Sequence, residues 1–218
     1  MRSASEALAA LAALAAVATA SSARADPPSR VPDATYGRID GDVAFVGGVG
    51  ASFGPTAPRL ALDLRVRYLD TVGVFVDYED GPAFHTTPDP LRVFSAGLEL
   101  RPLFLARWLQ LGDVHRGRLD LLVDSIGLEL GAFFQQAEGT SFGQRPGLQL
   151  GLGVELPLLP QATGPWIGLH GGVRWSDSTI LGDAIHDPED RSLFLAVTLS
   201  WHQLVLTHAV DAGDLPPR

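Results

Sequence analysis

Ser200-Trp201-His202 places a hydroxyl and an imidazole two positions apart. In an extended chain, residues two apart share a face. Serine and histidine side by side are two parts of a nucleophile–base–acid site, which performs acyl transfer. Carboxylates for the third part are available in other segments, and a site of this kind could trim lipid acyl chains. Against this, Ser200 sits in no G-x-S-x-G elbow. The catalytic candidates are therefore Ser200 and His202 alone, and the simpler reading of both is architectural.

A larger set of reactive side chains is more regular. Thirteen charged residues, Arg38, Asp40, Asp42, Asp63, Arg65, Arg67, Asp77, Glu79, Glu99, Arg101, Glu129, Glu155 and Arg174, fall in segments where polar and apolar residues alternate. Within each segment they share one parity. Gathered on one surface, eight acids and five arginines would form an ion-paired network, with His170 and His202 nearby. A buried charge is costly unless it is paired, so this network reads first as structural.

The elements that carry these residues are eight segments, roughly 36–53, 59–69, 71–79, 92–101, 124–135, 147–157, 165–176 and 192–204. A period of two predicts β-strands. Clusters of Gly, Pro, Asp and Thr separate the segments, as turns require. The connections alternate in character. On one side, called B, lie 54–58, 80–91, 136–145 and 177–191, three of them long and polar. On the other, side A, lie a tight turn near Leu69-Asp70, the short stretch 158–164 and one long exception, 102–123. In that exception Leu105, Trp108, Leu109 and Leu111 fit one helical face. It reads as a short amphipathic helix on an interfacial rim or as a helix packed under the mouth of a barrel.

The face opposite the charges is aliphatic in every strand centre, as in Leu148, Leu150, Leu152, Val154 and Leu156. Alternation alone does not say which face is inside. Gly97, Gly127, Gly131, Gly151, Gly153, Gly168 and Gly172 keep company with the charges. Glycine weakens a strand and suits places where space is tight, and the lumen of an eight-stranded barrel is tight. The charged face is therefore predicted to be concave. Six aromatic residues, Phe53, Tyr68, Tyr78, Phe134, Trp175 and Trp201, sit near strand ends with the aliphatic parity, as in the girdles of a transmembrane barrel.

On these features the chain resembles the small eight-stranded outer-membrane β-barrel proteins of Gram-negative bacteria. The resemblance covers about residues 36–204. It is architectural and rests on no family-specific motif. It implies an all-β fold, an eight-stranded antiparallel transmembrane β-barrel with a polar, side-chain-filled lumen and one short helical connection. It also implies a monomer in the outer membrane, in contact with lipid and lipopolysaccharide and inserted by the barrel-insertion machinery. Such proteins commonly finish on a strand whose last residue is aromatic. Here Trp201 is followed by HQLVLTHAVDAGDLPPR, a departure that touches the insertion signal.

The flanking segments fit export. Arg2, the apolar run 7–20 and the A-x-A site Ala23-Arg24-Ala25 predict a signal peptide over 1–25. A flexible leader follows over 26–35, and a tail over 205–218. The 218 residues include no cysteine, which excludes disulfides and thiol chemistry. A formal net charge of −9, with no basic patch, argues against nucleic acid. No cofactor or metal is expected. The loop bearing Asp177, Asp183, His186, Asp187, Glu189 and Asp190 lacks a regular calcium-loop spacing and reads as solvated acid. Gly47-Gly48-Val49-Gly50 lies within a strand, so a phosphate loop is not expected.

The residues favour a non-enzymatic envelope or surface protein without an open pore. They leave two alternatives. One is a soluble periplasmic lipocalin-like barrel whose aliphatic face lines a cavity for an apolar ligand. The other is a lipid-modifying outer-membrane enzyme.

Overall fold

The computed structural model describes residues 43–87, 89–103, 118–159, 161–176, 191–205 and 207. The expected signal peptide and leader, Arg38, Asp40, Asp42, the helical face of Leu105 to Leu111, the acidic loop 177–190 and the tail from 208 lie outside the described residues.

Eight strands run in a simple meander: β1 (Val43–Phe53), β2 (Pro58–Tyr68), β3 (Val72–Asp80), β4 (Arg92–Leu100), β5 (Gly127–Gln136), β6 (Gly147–Pro157), β7 (Gly164–Trp175) and β8 (Arg191–Val205). Each pairs antiparallel with its neighbours, and β1 pairs with β8, so the sheet closes into a barrel. Closure removes the unpaired strand edges that otherwise invite aggregation. The alternation expected from the sequence is the alternation observed. In β6 the buried positions are Gly147, Gln149, Gly151, Gly153, Glu155 and Pro157, and the leucines between them face outward.

The exterior is an apolar belt. Leu98, Leu130, Leu152, Leu193 and Leu199 are among its most exposed members, with Leu193 at 70%. Aromatic residues gather towards both ends of it. Near side B, Tyr78, Phe94 and Phe134 stand in one cross-strand row, with Phe53 and Trp175 closing their own strands. Near side A stand Phe45, Tyr68 and Trp201. Phe45, Phe53, Tyr68 and Trp201 are exposed; Tyr78, Phe134 and Trp175 are half-buried. Strand β8 runs four residues past Trp201 to Val205, so its last residue is aliphatic.

Two local features shape side A. The β2–β3 turn places both Leu69 (φ 48°) and Asp70 (φ 52°) in the left-handed region, and Thr71 N donates to Tyr68 O at 3.1 Å. This is the backbone of a two-residue hairpin turn, which normally takes Asn-Gly. Asp70 tolerates it better than Leu69 does, and its carboxylate is held by Arg101 at 3.0 Å. The second feature corrects an expected boundary. Residues 124–126 do not begin β5, because a short helix α1 (Arg118–Asp124) ends there. Ser125 Oγ lies 2.7 Å from both Leu122 O and Glu155 O, either of which can take its proton, and its backbone N–H donates to Leu121 O. Helix α1 packs under the barrel mouth: Leu121 is fully buried against Trp166 and Ala162. Among the described residues no helix is long and apolar enough to cross a membrane, which says nothing of strands.

Candidate functional site: a charge-filled lumen

The strands aim a layered set of polar side chains into the lumen. Towards side B, Glu79 on β3 joins Arg59 (3.3 Å) on β2 and Arg174 (2.7 Å) on β7. Arg174 Nε also donates to Gln149 Oε1 at 2.8 Å. Its guanidinium lies 4.1 Å from the ring centre of Phe194 and 5.8 Å from that of Phe133. Those rings shield it from water on an otherwise polar face, an arrangement in which cation–π attraction strengthens.

In the middle, Arg65 is the hub. Its Nε donates to Asp63 Oδ1 at 2.8 Å and its Nη1 to Glu129 Oε1 at 2.5 Å. Glu99 Oε2 stands 3.4 Å from Nη1, and Asp77 Oδ1 stands 3.9 Å from Nη2. Phe75 lies under the guanidinium at 5.6 Å. Towards side A, Glu99 and Glu155 alternate with Arg67 and Arg101. Arg67 Nε reaches Glu99 Oε2 and its Nη2 reaches Glu155 Oε1, both at 2.8 Å. Arg101 reaches Glu99 Oε1 at 3.0 Å and makes a short bond to Glu155 Oε2. Burial works to lower the pKa of Arg101, but Asp70, Glu155 and Glu99 more than offset it and leave it above the ordinary arginine value. Of the side-A pairs, Arg67, Arg101, Glu99 and Glu155 are each at most 2% exposed.

The glycines of the charged face make room for this packing. A Cβ on Gly153 would stand 2.6 Å from His170 Nδ1, and one on Gly168 would stand 2.6 Å from Thr198 Oγ1. Both distances are shorter than any carbon tolerates, so neither site accepts even alanine without displacing the groups around His170.

Of the charges singled out in the sequence, ten lie among the described residues. Nine of them are buried, and Asp77 is nearly so. Two members of the network were not singled out. Arg59 has the parity of Asp63 but sits at the mouth of its strand. Asp70 sits in a turn, where parity gives no guidance. The inward aromatics Phe75, Phe133 and Trp166 carry the parity of the charges in their strands, and Phe194 has the parity opposite its strand's leucines; that parity is the signal by which they could have been found.

The serine and histidine do not meet as catalytic partners. Ser200 Oγ is buried and has no hydrogen-bond partner among the described protein groups. His202 stacks on Trp166, with ring centres 4.4 Å apart and planes within 7°. Its Nε2 lies 3.6 Å from Glu155 Oε1. Two G-x-S-x-G strings do occur elsewhere, at Gly50–Gly54 and Gly139–Gly143. The elbow requires a strand-to-helix turn. Ser52 instead lies inside β1, and Ser141 lies in the loop between β5 and β6.

No protein-family model, curated protein or solved structure matches this chain.

Proposed function

We propose that the chain is an integral outer-membrane β-barrel protein of the Gram-negative envelope. In this reading it is non-enzymatic, closed to general diffusion, and presents its long side-B loops to the surroundings. The observation that carries the reading is the inversion of the barrel: the aliphatic face is outside and the ionised face inside. Water would leave such an exterior as one continuous apolar patch, far beyond the few hundred Å² that monomers in water expose. Hydrocarbon makes it the favourable surface. Dimensions agree. An 11-residue strand such as β6 is about 36 Å long at ~3.3 Å per residue. Tilted by roughly 45°, it spans about 25 Å, the height of the apolar band in such barrels. Aromatic side chains near both edges of the belt add support. A lipocalin-like barrel would need the aliphatic face to line a cavity, whereas arginine–carboxylate pairs fill this interior. That filling also argues against a pore: the cavity beside Asp63 and His170 measures about 20 Å³, room for about one water molecule.

Refolding of the chain in detergent, followed by gel electrophoresis with and without boiling, tests this reading. A closed barrel stays folded in dodecyl sulfate until heated, so two mobilities are expected. A single mobility under both conditions would count against it.

A further inference from the structure

Within the lumen, His170 Nε2 and Asp63 Oδ2 face a common gap, with Glu155 Oε1, which also accepts from Arg67, beside them. His170 Nε2 lies 4.0 Å from Asp63 Oδ2 and 4.0 Å from Glu155 Oε1. One ligand atom from each of these three residues falls within 4.8 Å of the other two. All three residues are at most 3% exposed. Neither His170 Nε2 nor Asp63 Oδ2 has a hydrogen-bond partner among the described protein groups. The surrounding bonds aim them at the gap. His170 Nδ1 is 2.8 Å from Glu129 Oε1, and a carboxylate there accepts the ring N–H, which turns Nε2 towards the gap. Arg65 occupies Asp63 Oδ1 and leaves Oδ2 to the gap. A cation placed between the imidazole nitrogen and the two carboxylate oxygens would be attracted by both carboxylates.

We propose that these three side chains bind one divalent transition-metal ion of the zinc class, with Glu129 orienting His170 from behind. The inference is independent of where the barrel resides, and it departs from the sequence expectation of no metal. Mixed imidazole and carboxylate donors suit zinc and its first-row neighbours better than calcium or magnesium, which take oxygen. A histidine ligand that donates its other nitrogen to a carboxylate is the usual support of such sites. Two donors each about 2.1 Å from a zinc ion stand between about 3.4 and 4.2 Å apart. The 4.0 Å pairs fit this range, and the widest pair must close by less than about 1 Å.

The test uses the full chain refolded in detergent with zinc chloride, freed of excess metal by gel filtration, with zinc measured by mass spectrometry. About one zinc per folded chain is expected. His170→Gln and Asp63→Asn should each weaken zinc binding by about tenfold or more, and Glu129→Gln by about 10- to 100-fold through loss of the orienting bond. His85→Gln, in an exposed loop, should change nothing. Refolding the unmodified chain with cobalt should give visible absorption bands of a low-coordinate ion, a readout that needs no variant to fold. Folded chain that retains no metal, zinc retained equally by His170→Gln, or cobalt bands like those of the ion in water would each overturn the proposal.

Discussion

Glu99→Leu is expected to destabilise the barrel by about 3–5 kcal/mol, the cost of removing one partner from a buried ion pair. Glu99 accepts from Arg67 at 2.8 Å and Arg101 at 3.0 Å, and stands 3.4 Å from Arg65. Leucine has nearly the same volume, so cavity formation adds little and the loss is electrostatic. Three guanidiniums remain, with less negative charge around them and no water to replace it. Urea unfolding of the refolded barrel measures the shift. Arg92→Leu provides the contrast. Arg92 pairs with Asp80 at 3.2 Å, but its side chain is 34% exposed, so the loss should be about 0–1 kcal/mol. Combining Glu99→Leu with Arg67→Leu should cost less than the sum of the two single changes, because the second removes a charge that the first left stranded.

The second large effect lies on the opposite face. Leu152→Arg, at the centre of β6 and pointing outward at 58% exposure, is expected to cost about 2–4 kcal/mol when the barrel is folded into lipid vesicles. Leu156→Arg, near the end of the same strand, should cost only about 0–1 kcal/mol, because arginine there reaches the interface. The gradient along one strand is the diagnostic quantity. If the exterior faced water, both changes would fall within about 0.5 kcal/mol, as exposed substitutions usually do.

Much of this architecture is legible in the sequence, for a physical reason. A strand with one buried face must alternate, and a one-residue slip would turn every leucine of β6 inward. The eight strands, their order and their faces follow from that rule. Strand ends are less legible. Residues 124–126 read as the start of the fifth strand, yet α1 claims Asp124 and the Ser125 bonds hold the next residue out of β5. The pairings across the lumen were beyond reach. Arg65 meets Glu129 and Arg67 meets Glu155, 64 and 88 residues away along the chain. Such partners depend on closure and strand register, and parity carries neither. Parity places His170 inward but does not reveal that Glu129 turns its ring towards Asp63. The sequence offers no spacing that marks these three residues as a set, because they come from three strands.

The central claim is that the aliphatic exterior meets lipid. Fractionation of bacterial cells expressing the full chain tests it most directly. The account predicts that the protein stays with the outer-membrane fraction through high-salt and alkaline washes and is released only by detergent. Release by osmotic shock, or by salt without detergent, would contradict it.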